Sequence, residues 1–263
     1  MTLVGKTVWV TGATSGIGLA VAIALAKKGA KLILSARSFE KLESIRLDLE
    51  RPNEHKSIPL DFNSLDSMLD GVKRALENGL APDILINNAG ISQRGQAIDV
   101  NLEVTREVME VNFFATIALT QSLLPTLIAN KGMVATIASV AGKVGGQGMS
   151  SYAASKHAIV GYMDCLRAEE QMNGLHVLTV CPGFVSTNIS INARTSDGSK
   201  YGEMAESIAS GISAESCADK IVEAIIASKN EIYIGKGISR WAPVIKRFFP
   251  SLLMYLAGKK NIR

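Results

Sequence analysis

Tyr152 and Lys156 stand four residues apart, a spacing that on a helix puts a phenol and an ammonium on one face, a turn from each other. Where such a face opens onto a pocket, the pair can move protons. A phenol with its ordinary pKa of about 10 is a poor base at neutral pH, and bringing it into range takes about 3 to 4 kcal/mol. A cation about 4 Å away at an effective dielectric near 20 supplies roughly 4 kcal/mol. Burial alone raises a phenol's pKa, so the sequence assigns the tuning to Lys156. By itself the spacing also describes a half-buried Tyr beside a solvated Lys. Its weight comes from residues elsewhere in the chain.

The elements that must position the pair alternate between strand and helix. Lys6 to Thr11 is a short apolar strand, followed by Gly12-Ala13-Thr14-Ser15-Gly16-Ile17-Gly18 and a helical run from Leu19 to Lys28 that Gly29 stops. In that arrangement N–H groups at a helix start meet a phosphate, and missing side chains let the backbone approach it. The spacing is G-x-x-x-G-x-G, and the plain alternative is a tight structural turn. Lys31 to Ser35 is a second strand, ending in Ala36-Arg37-Ser38. An acid at this strand end would accept hydrogen bonds from adenosine ribose hydroxyls, as in NAD sites. Ala36 takes that place here, and the Arg37 guanidinium can pair with a 2′-phosphate through two N–H groups. NADP is therefore predicted ahead of NAD; otherwise Arg37 is a surface residue opening the helix at 39–50.

A third strand, Lys56 to Leu60, leads into Asp61-Phe62, and a helix spans Leu65 to Glu77. Pro82 to Ile86 is a fourth strand, running into Asn87-Asn88-Ala89-Gly90, which suits a sharp turn at the edge where open α/β sheets bind ligands. The helical pattern from Leu102 to Asn130 contains Asn112, which costs up to about 0.7 kcal/mol relative to Ala inside a helix. Either its side chain satisfies a neighbouring backbone group or it has a role at the site. Gly132 to Ala138 delivers Ser139 to the same edge, and Gly142, Gly145, Gly146 and Gly148 make a pliant loop before the Tyr152 helix. Leu175 to Val180 ends in Cys181-Pro182-Gly183. The polar stretch that follows, within a loop at 186–212, reads as a substrate lid. A helix from Ala214 to Lys229 and a strand from Glu231 to Ile234 complete the pattern. The predicted fold class is α/β, a single-domain Rossmann-type doubly wound parallel sheet of about seven strands with helices on both faces.

Composition sets the outer limits. At 263 residues the chain suits one large α/β domain. A 47% hydrophobic and 20% charged composition is that of an ordinary folded soluble protein. Cys165, Cys181 and Cys217 are widely spaced in apolar contexts, which predicts buried free thiols in a reducing, cytoplasmic setting. His55, His157 and His176 form no cluster, and no metal is assigned. The net charge of +4 is uneven. From Glu231 onward seven Lys or Arg face one acid, giving +6 and leaving −2 for residues 1–230, so no nucleic-acid surface is predicted on the body. No charged-then-apolar leader precedes the first strand, and secretion is not indicated.

Thr11-Gly12-x-x-x-Gly16-Ile17-Gly18, Asn87-Asn88-Ala89-Gly90, Asn112, Ser139, Tyr152-x-x-x-Lys156 and Pro182-Gly183 occur in order across about residues 3–235. This set resembles the short-chain dehydrogenase/reductase family. Thr187-Asn188-Ile189-Ser190, Asn192-Ala193, Asp197-Gly198-Ser199 and Tyr201-Gly202 are similar to its dehydrogenase/reductase member 7 and 7B branch, whose members begin with a membrane-anchoring segment not expected here.

The resemblance implies hydride transfer between NADPH and a carbonyl or secondary alcohol, with the hydride chemistry residing in the cofactor. It implies Tyr152 as general acid in reduction, Ser139 holding the carbonyl oxygen, Lys156 lowering the Tyr pKa and binding the nicotinamide ribose, and Asn112 anchoring a water that links Lys156 to solvent. Cofactor contacts would come from Gly12, Thr14, Ser15, Gly16, Ile17, Gly18, Asn88, Ala89, Gly90, Pro182, Gly183 and Thr187, besides Tyr152 and Lys156, with Arg37 on the 2′-phosphate and Asp61 near the adenine. It also implies a homodimer or homotetramer, the long helices around Asn112 and Tyr152 pairing across subunits. Gly235-Lys236-Gly237-Ile238 replaces the Asp-Gly-Gly ending of ketoacyl-carrier-protein reductases and weighs against that role. An NADP-sensing interaction protein of the same fold, without turnover, is the reading from a different class; the intact Ser139, Tyr152 and Lys156 speak for the enzyme.

The predicted organisation is a nucleotide-binding domain over 1–237, including the substrate loop 186–212, and a basic amphipathic tail over 238–263. In the tail Trp241, Val244, Ile245, Phe248, Phe249, Leu252, Leu253 and Leu256 recur at helical spacing among Arg240, Lys246 and Arg247. Pro243 and Pro250 interrupt it, and the uncharged run from Phe248 to Gly258 is too short to span a bilayer. Two outcomes stand: the segment 240–258 lies on an anionic membrane surface and collects a lipophilic substrate, or the tail packs over the pocket or against a partner subunit.

Overall fold

The computed structural model describes residues 1–259; positions 260–263 of the predicted tail lie outside the described residues. The predicted apolar runs form strands β1 Thr7–Thr11, β2 Lys31–Ala36, β3 Lys56–Pro59, β4 Ile84–Asn87, β5 Met133–Ile137 and β6 His176–Pro182; the short β7 Val185–Ser186 and β8 Ile212–Ser213 precede β9 Glu231–Ile234. One seven-stranded sheet runs in the order β3-β2-β1-β4-β5-β6-β9, every pair parallel. Parallel neighbours cannot be joined by hairpins and need crossover connections. These are helices α1 Gly16–Lys27, α2 Phe39–Asp48, α3 Leu65–Glu77, α4 Leu102–Met109, α5 Ala115–Ala129 and α6 Ser150–Glu170, then the short α7 Glu206–Ala209 and α8 Ala214–Ile226; α9 Ile238–Phe248 and α10 Pro250–Lys259 follow the sheet.

Strand side chains alternate between faces, and both faces are apolar because both are covered. Val8 and Val10 of β1 pack with Leu25 of α1 and Ile221 and Ile225 of α8. Trp9, between them, faces the other layer with Leu119 of α5 and Met163 of α6. Trp9 is wholly buried and its indole N–H donates to Ser35 Oγ at 2.8 Å, so the largest core side chain leaves no polar group unpaired. The buried ring of His55 accepts from Leu32 N–H through Nδ1 at 3.1 Å, and Nε2 meets Glu50 O at 2.8 Å, which makes it a brace between β2 and β3. The predicted burial of the thiols is corrected at Cys165 of α6, which is exposed, while Cys181 and Cys217 are buried.

The predicted helix over 102–130 is interrupted. Glu110–Phe114 forms a π turn between α4 and α5, and Asn112 lies in it. The apolar stretch Leu102–Ala129 has the length and hydropathy to cross a membrane. Ala115, Leu119, Leu123 and Leu127 are nevertheless fully buried in the layer against the sheet, the placing of a core helix. Strand order reverses between β1 and β4, and the carboxyl ends of the strands at such a switch point form a crevice.

Candidate active site

At the carboxyl end of β1 the chain turns through Gly12 and Gly16, with φ of +65° and +54°, values glycine adopts without strain. Gly18 serves close packing: a Cβ there would stand 2.3 Å from Gly12 O. Ser15 precedes α1 without a side-chain cap, and the first turn carries no acid. The opening N–H groups of α1 therefore face the crevice edge without a protein carboxylate, the electrostatic condition for binding a phosphate. Thr187 closes the other side, its methyl 3.1 Å from where a Cβ on Gly16 would stand. Thr14 lies within this loop.

Thr11 and Asn88 fasten the loop to the end of β4. Thr11 Oγ1 accepts from Asn88 N at 2.9 Å and Ala89 N at 3.0 Å, while Asn88 Nδ2 donates to Thr11 O at 2.9 Å and Gly12 O at 3.3 Å. Asn88 thus positions the glycine loop with its amide nitrogen. Across the switch point, Arg37 is exposed at the end of β2, without an ion pair among the described residues. Asp61, two residues past β3, accepts from Asn63 N at 3.0 Å. Pro182 ends β6, and Gly183 N–H donates to Ile234 O at 2.7 Å.

On the β5 side, Ser139 caps a tight turn over Val140–Gly142, its Oγ accepting from Ala141 N at 3.0 Å. That turn rests on α6, since a Cβ on Gly142 would stand 2.6 Å from Lys156 O. Tyr152 and Lys156 project from α6 as their spacing predicts, with Ser139 facing the Tyr152 phenol and its Oγ donating to Pro182 O at 3.4 Å. Lys156 Nζ donates to Ile137 O at 3.0 Å and lies 5.8 Å from the centre of the Tyr152 ring.

The expectation that Lys156 holds the phenol's pKa down is corrected by this arrangement. Burial dominates and raises the Tyr152 phenol, with the neighbouring Ser139 side chain drawing it back. The same burial brings the Lys156 ammonium down to about 8. Removing water disfavours whichever form is charged, the phenolate in one group and the ammonium in the other, so both are driven toward neutrality.

Asn112 is buried. Its Oδ1 accepts from Ile91 N at 2.8 Å, and its Nδ2 donates to Ile91 O at 2.9 Å and Ser155 Oγ at 2.9 Å. The side chain pairs with both backbone groups of Ile91, twenty-one residues earlier, rather than with a backbone group of its own helix. It does so within the site: a Cβ on Gly90 would stand 3.0 Å from Asn112 Oδ1 and 3.6 Å from Lys156 Nζ. Gly90 keeps the space between those two atoms open. Sequence reasoning passed over Thr11 and Ser155 as holding residues. Ser155 Oγ donates to Tyr152 O at 2.8 Å, and a small hydroxyl immediately before the lysine was the available signal.

The lid is pinned at both ends. Val185–Ser186 pairs with Ile212–Ser213 at its base. Arg194 reaches Glu107 of α4 with Nε at 2.9 Å and Nη2 at 2.6 Å, and Arg94 lies over the Tyr201 ring at 5.6 Å. A cavity of about 570 Å³ lined by Arg94, Gln96, Thr195, Asp197 and Tyr201 opens beneath it.

The glycine loop, the Asn88 turn and the Ser139, Tyr152 and Lys156 group occupy one sheet edge, as they do in sequence order. A family model described as short chain dehydrogenase matches residues 6–198. The chain belongs to that family of oxidoreductases. It is 37% identical over 259 residues to dehydrogenase/reductase SDR family member 7B of Bos taurus, covering 95% of this chain and 80% of the relative. In fold it is similar to a short chain dehydrogenase from Burkholderia cenocepacia in complex with NADP, with TM-score 0.80, 23% identity, and coverage of 98% of this chain and 99% of the other. It is also similar to a short chain dehydrogenase/reductase from Burkholderia phymatum in complex with NAD, with TM-score 0.81, 22% identity, and coverage of 100% and 99%.

Proposed function

We propose that this short-chain dehydrogenase is an NADP(H)-dependent oxidoreductase acting on a carbonyl or secondary alcohol of a hydrophobic substrate, with Tyr152 as the acid or base. The observation that carries the reading is the Tyr152 phenol facing Ser139 with Lys156 buried behind it, at the edge where the glycine loop leaves an uncapped helix start.

The residues fit a dinucleotide. Gly12, Gly16 and Gly18 leave a cradle that side chains would fill, and the first turn of α1 offers N–H groups with Thr14, Ser15 and Ile17 around them. A nicotinamide dinucleotide bound there supplies the hydride in reduction and takes it up in oxidation. Tyr152, a phenol that is protonated at neutral pH, gives its proton to the carbonyl oxygen in reduction as general acid. In oxidation the proton returns from the alcohol to Tyr152. Ser139 donates a hydrogen bond to the same oxygen, and Lys156, held at Ile137 O, keeps its other N–H groups for the cofactor ribose. Support for NADP over NAD comes from Arg37, an exposed guanidinium at the end of β2 where an acid would favour NAD. The apolar tail beside the site favours a hydrophobic substrate. A homodimer would use the apolar groove of about 420 Å³ lined by Phe113, His157, Gly161, Tyr162 and Cys165.

The test is NADPH and NADH oxidation by the purified protein with ketones and aldehydes of increasing chain length, beside Tyr152→Phe and Arg37→Ala. NADPH-dependent turnover that rises with chain length is expected. Tyr152→Phe should lose roughly 10²–10⁴-fold while still binding NADPH. Arg37→Ala should raise KM for NADPH and leave that for NADH alone. NADPH binding without turnover on any carbonyl would instead support the NADP-sensing reading.

A further inference from the structure

After β9 the chain forms the α9–α10 hairpin. Its inner side rests on the carboxyl edge that holds the site: Ala242 is buried, Lys246 Nζ donates to Lys143 O at 2.8 Å and Gln147 Nε2 to Gly258 O at 3.0 Å. Ser239 fits against Gly183 and Gly235, where a Cβ would meet its Oγ at 2.7 and 2.8 Å. The outer side is left uncovered. On α9, Ile238, Trp241, Val244 and Phe248 follow one another at three- and four-residue steps and so share a face, with Trp241 57% and Phe248 67% exposed. Phe249 at the joint is 64% exposed and Met254 on α10 is 76% exposed. Arg240 and Arg247 project at the margin of this face.

Charge identifies what covers it. From Ile232 to Lys259 there are five Lys or Arg and no Asp or Glu. Apolar and aromatic side chains flanked by cations, on helices too short to span, form the pattern that lies in the plane of a bilayer interface with anionic headgroups. We propose that the α9–α10 hairpin docks the protein peripherally on an anionic lipid bilayer, with Trp241, Val244, Phe248 and Phe249 below the headgroups and Arg240 and Arg247 among them. The inner side of the same hairpin lies against Gly183 and the loop after Ser139, so docking through the outer side holds the site's edge one helix layer from the lipid. That an apolar substrate enters from the bilayer rests on the proposed function; the docking itself does not.

The experiment uses the full chain with vesicles of phosphatidylcholine alone or with added phosphatidylserine. Trp9 is fully buried and Trp241 is the only other tryptophan, so a vesicle-dependent blue shift reports Trp241. Expected are a blue shift and co-sedimentation with the phosphatidylserine vesicles, weakened by salt. Arg240→Gln with Arg247→Gln should lower that partitioning roughly five-fold per cation. Trp241→Ser with Phe248→Ser should abolish it while thermal unfolding and NADPH binding stay unchanged, since these side chains are exposed. Sedimentation equal with and without phosphatidylserine, or no shift and no sedimentation, overturns the proposal. So does a Trp241→Ser, Phe248→Ser protein that changes its oligomeric state, because a second copy would then be the occupant. Loss of turnover with intact vesicle binding would sink the enzymatic reading alone.

Discussion

Burial of Lys156 has a measurable consequence for stability. Its folded pKa of about 8 lies below the unfolded value of 10.5, so between these values the unfolded state binds more protons and stability rises with pH. Below pH 8 the folded protein carries the full penalty, about 3 kcal/mol. In Lys156→Met that penalty disappears, but Ile137 O loses its partner at 3.0 Å, which costs about 1–3 kcal/mol. The two nearly cancel at pH 7. Denaturant titrations should therefore find similar stabilities at pH 7, with the wild type gaining up to about 3 kcal/mol over the variant as pH rises from 8 to 10.5. Parallel pH profiles would refute the burial of the ammonium, whatever happens to activity.

Among the elements, the lid takes its anchoring from outside its own sequence pattern. Its polar composition reads as a lid without saying what holds it, and Arg194 fixes it to α4 through a two-pronged contact with Glu107. The pair is partly exposed, with side chains 25% and 29% accessible, and contributes on the order of 1 kcal/mol. Glu107→Gln should raise KM for a substrate of the proposed carbonyl reduction about five-fold, the equivalent of that energy, with KM for the nucleotide unchanged. Limited proteolysis should cut the variant faster within 194–204. An unchanged cleavage rate would mean that β7 and β8 alone set the lid.

For the whole molecule, Gly161 separates folding from assembly. A Cβ added there meets nothing within 4 Å, and Arg is a better helix former than Gly, so Gly161→Arg leaves the monomer's packing intact. It fills the groove between Phe113 and Tyr162. If that groove is the homodimer contact, light scattering should report a halved mass for Gly161→Arg with an unchanged far-UV circular dichroism spectrum and a melting temperature that no longer depends on protein concentration. A wild type already monomeric would remove the contact from the account.

The alternation of fully apolar runs with helical stretches was sufficient to predict a parallel sheet covered on both faces, because strands buried on both sides, such as Ile84–Asn87, joined by helices suit a parallel sheet with a helical layer on each face. Gly12, Gly16 and Gly18, Tyr152 and Lys156 were legible because helix and turn geometry depend on local spacing. What only tertiary structure decided is what each polar group faces after water is removed. Asn112 pairs with Ile91, twenty-one residues away; Thr11 holds a turn seventy-seven residues on; and the Tyr152 phenol rises where its neighbouring cation was expected to lower it. Hydrogen-bond partners and desolvation depend on distances across the fold, and those distances are set by packing between layers that no local pattern records.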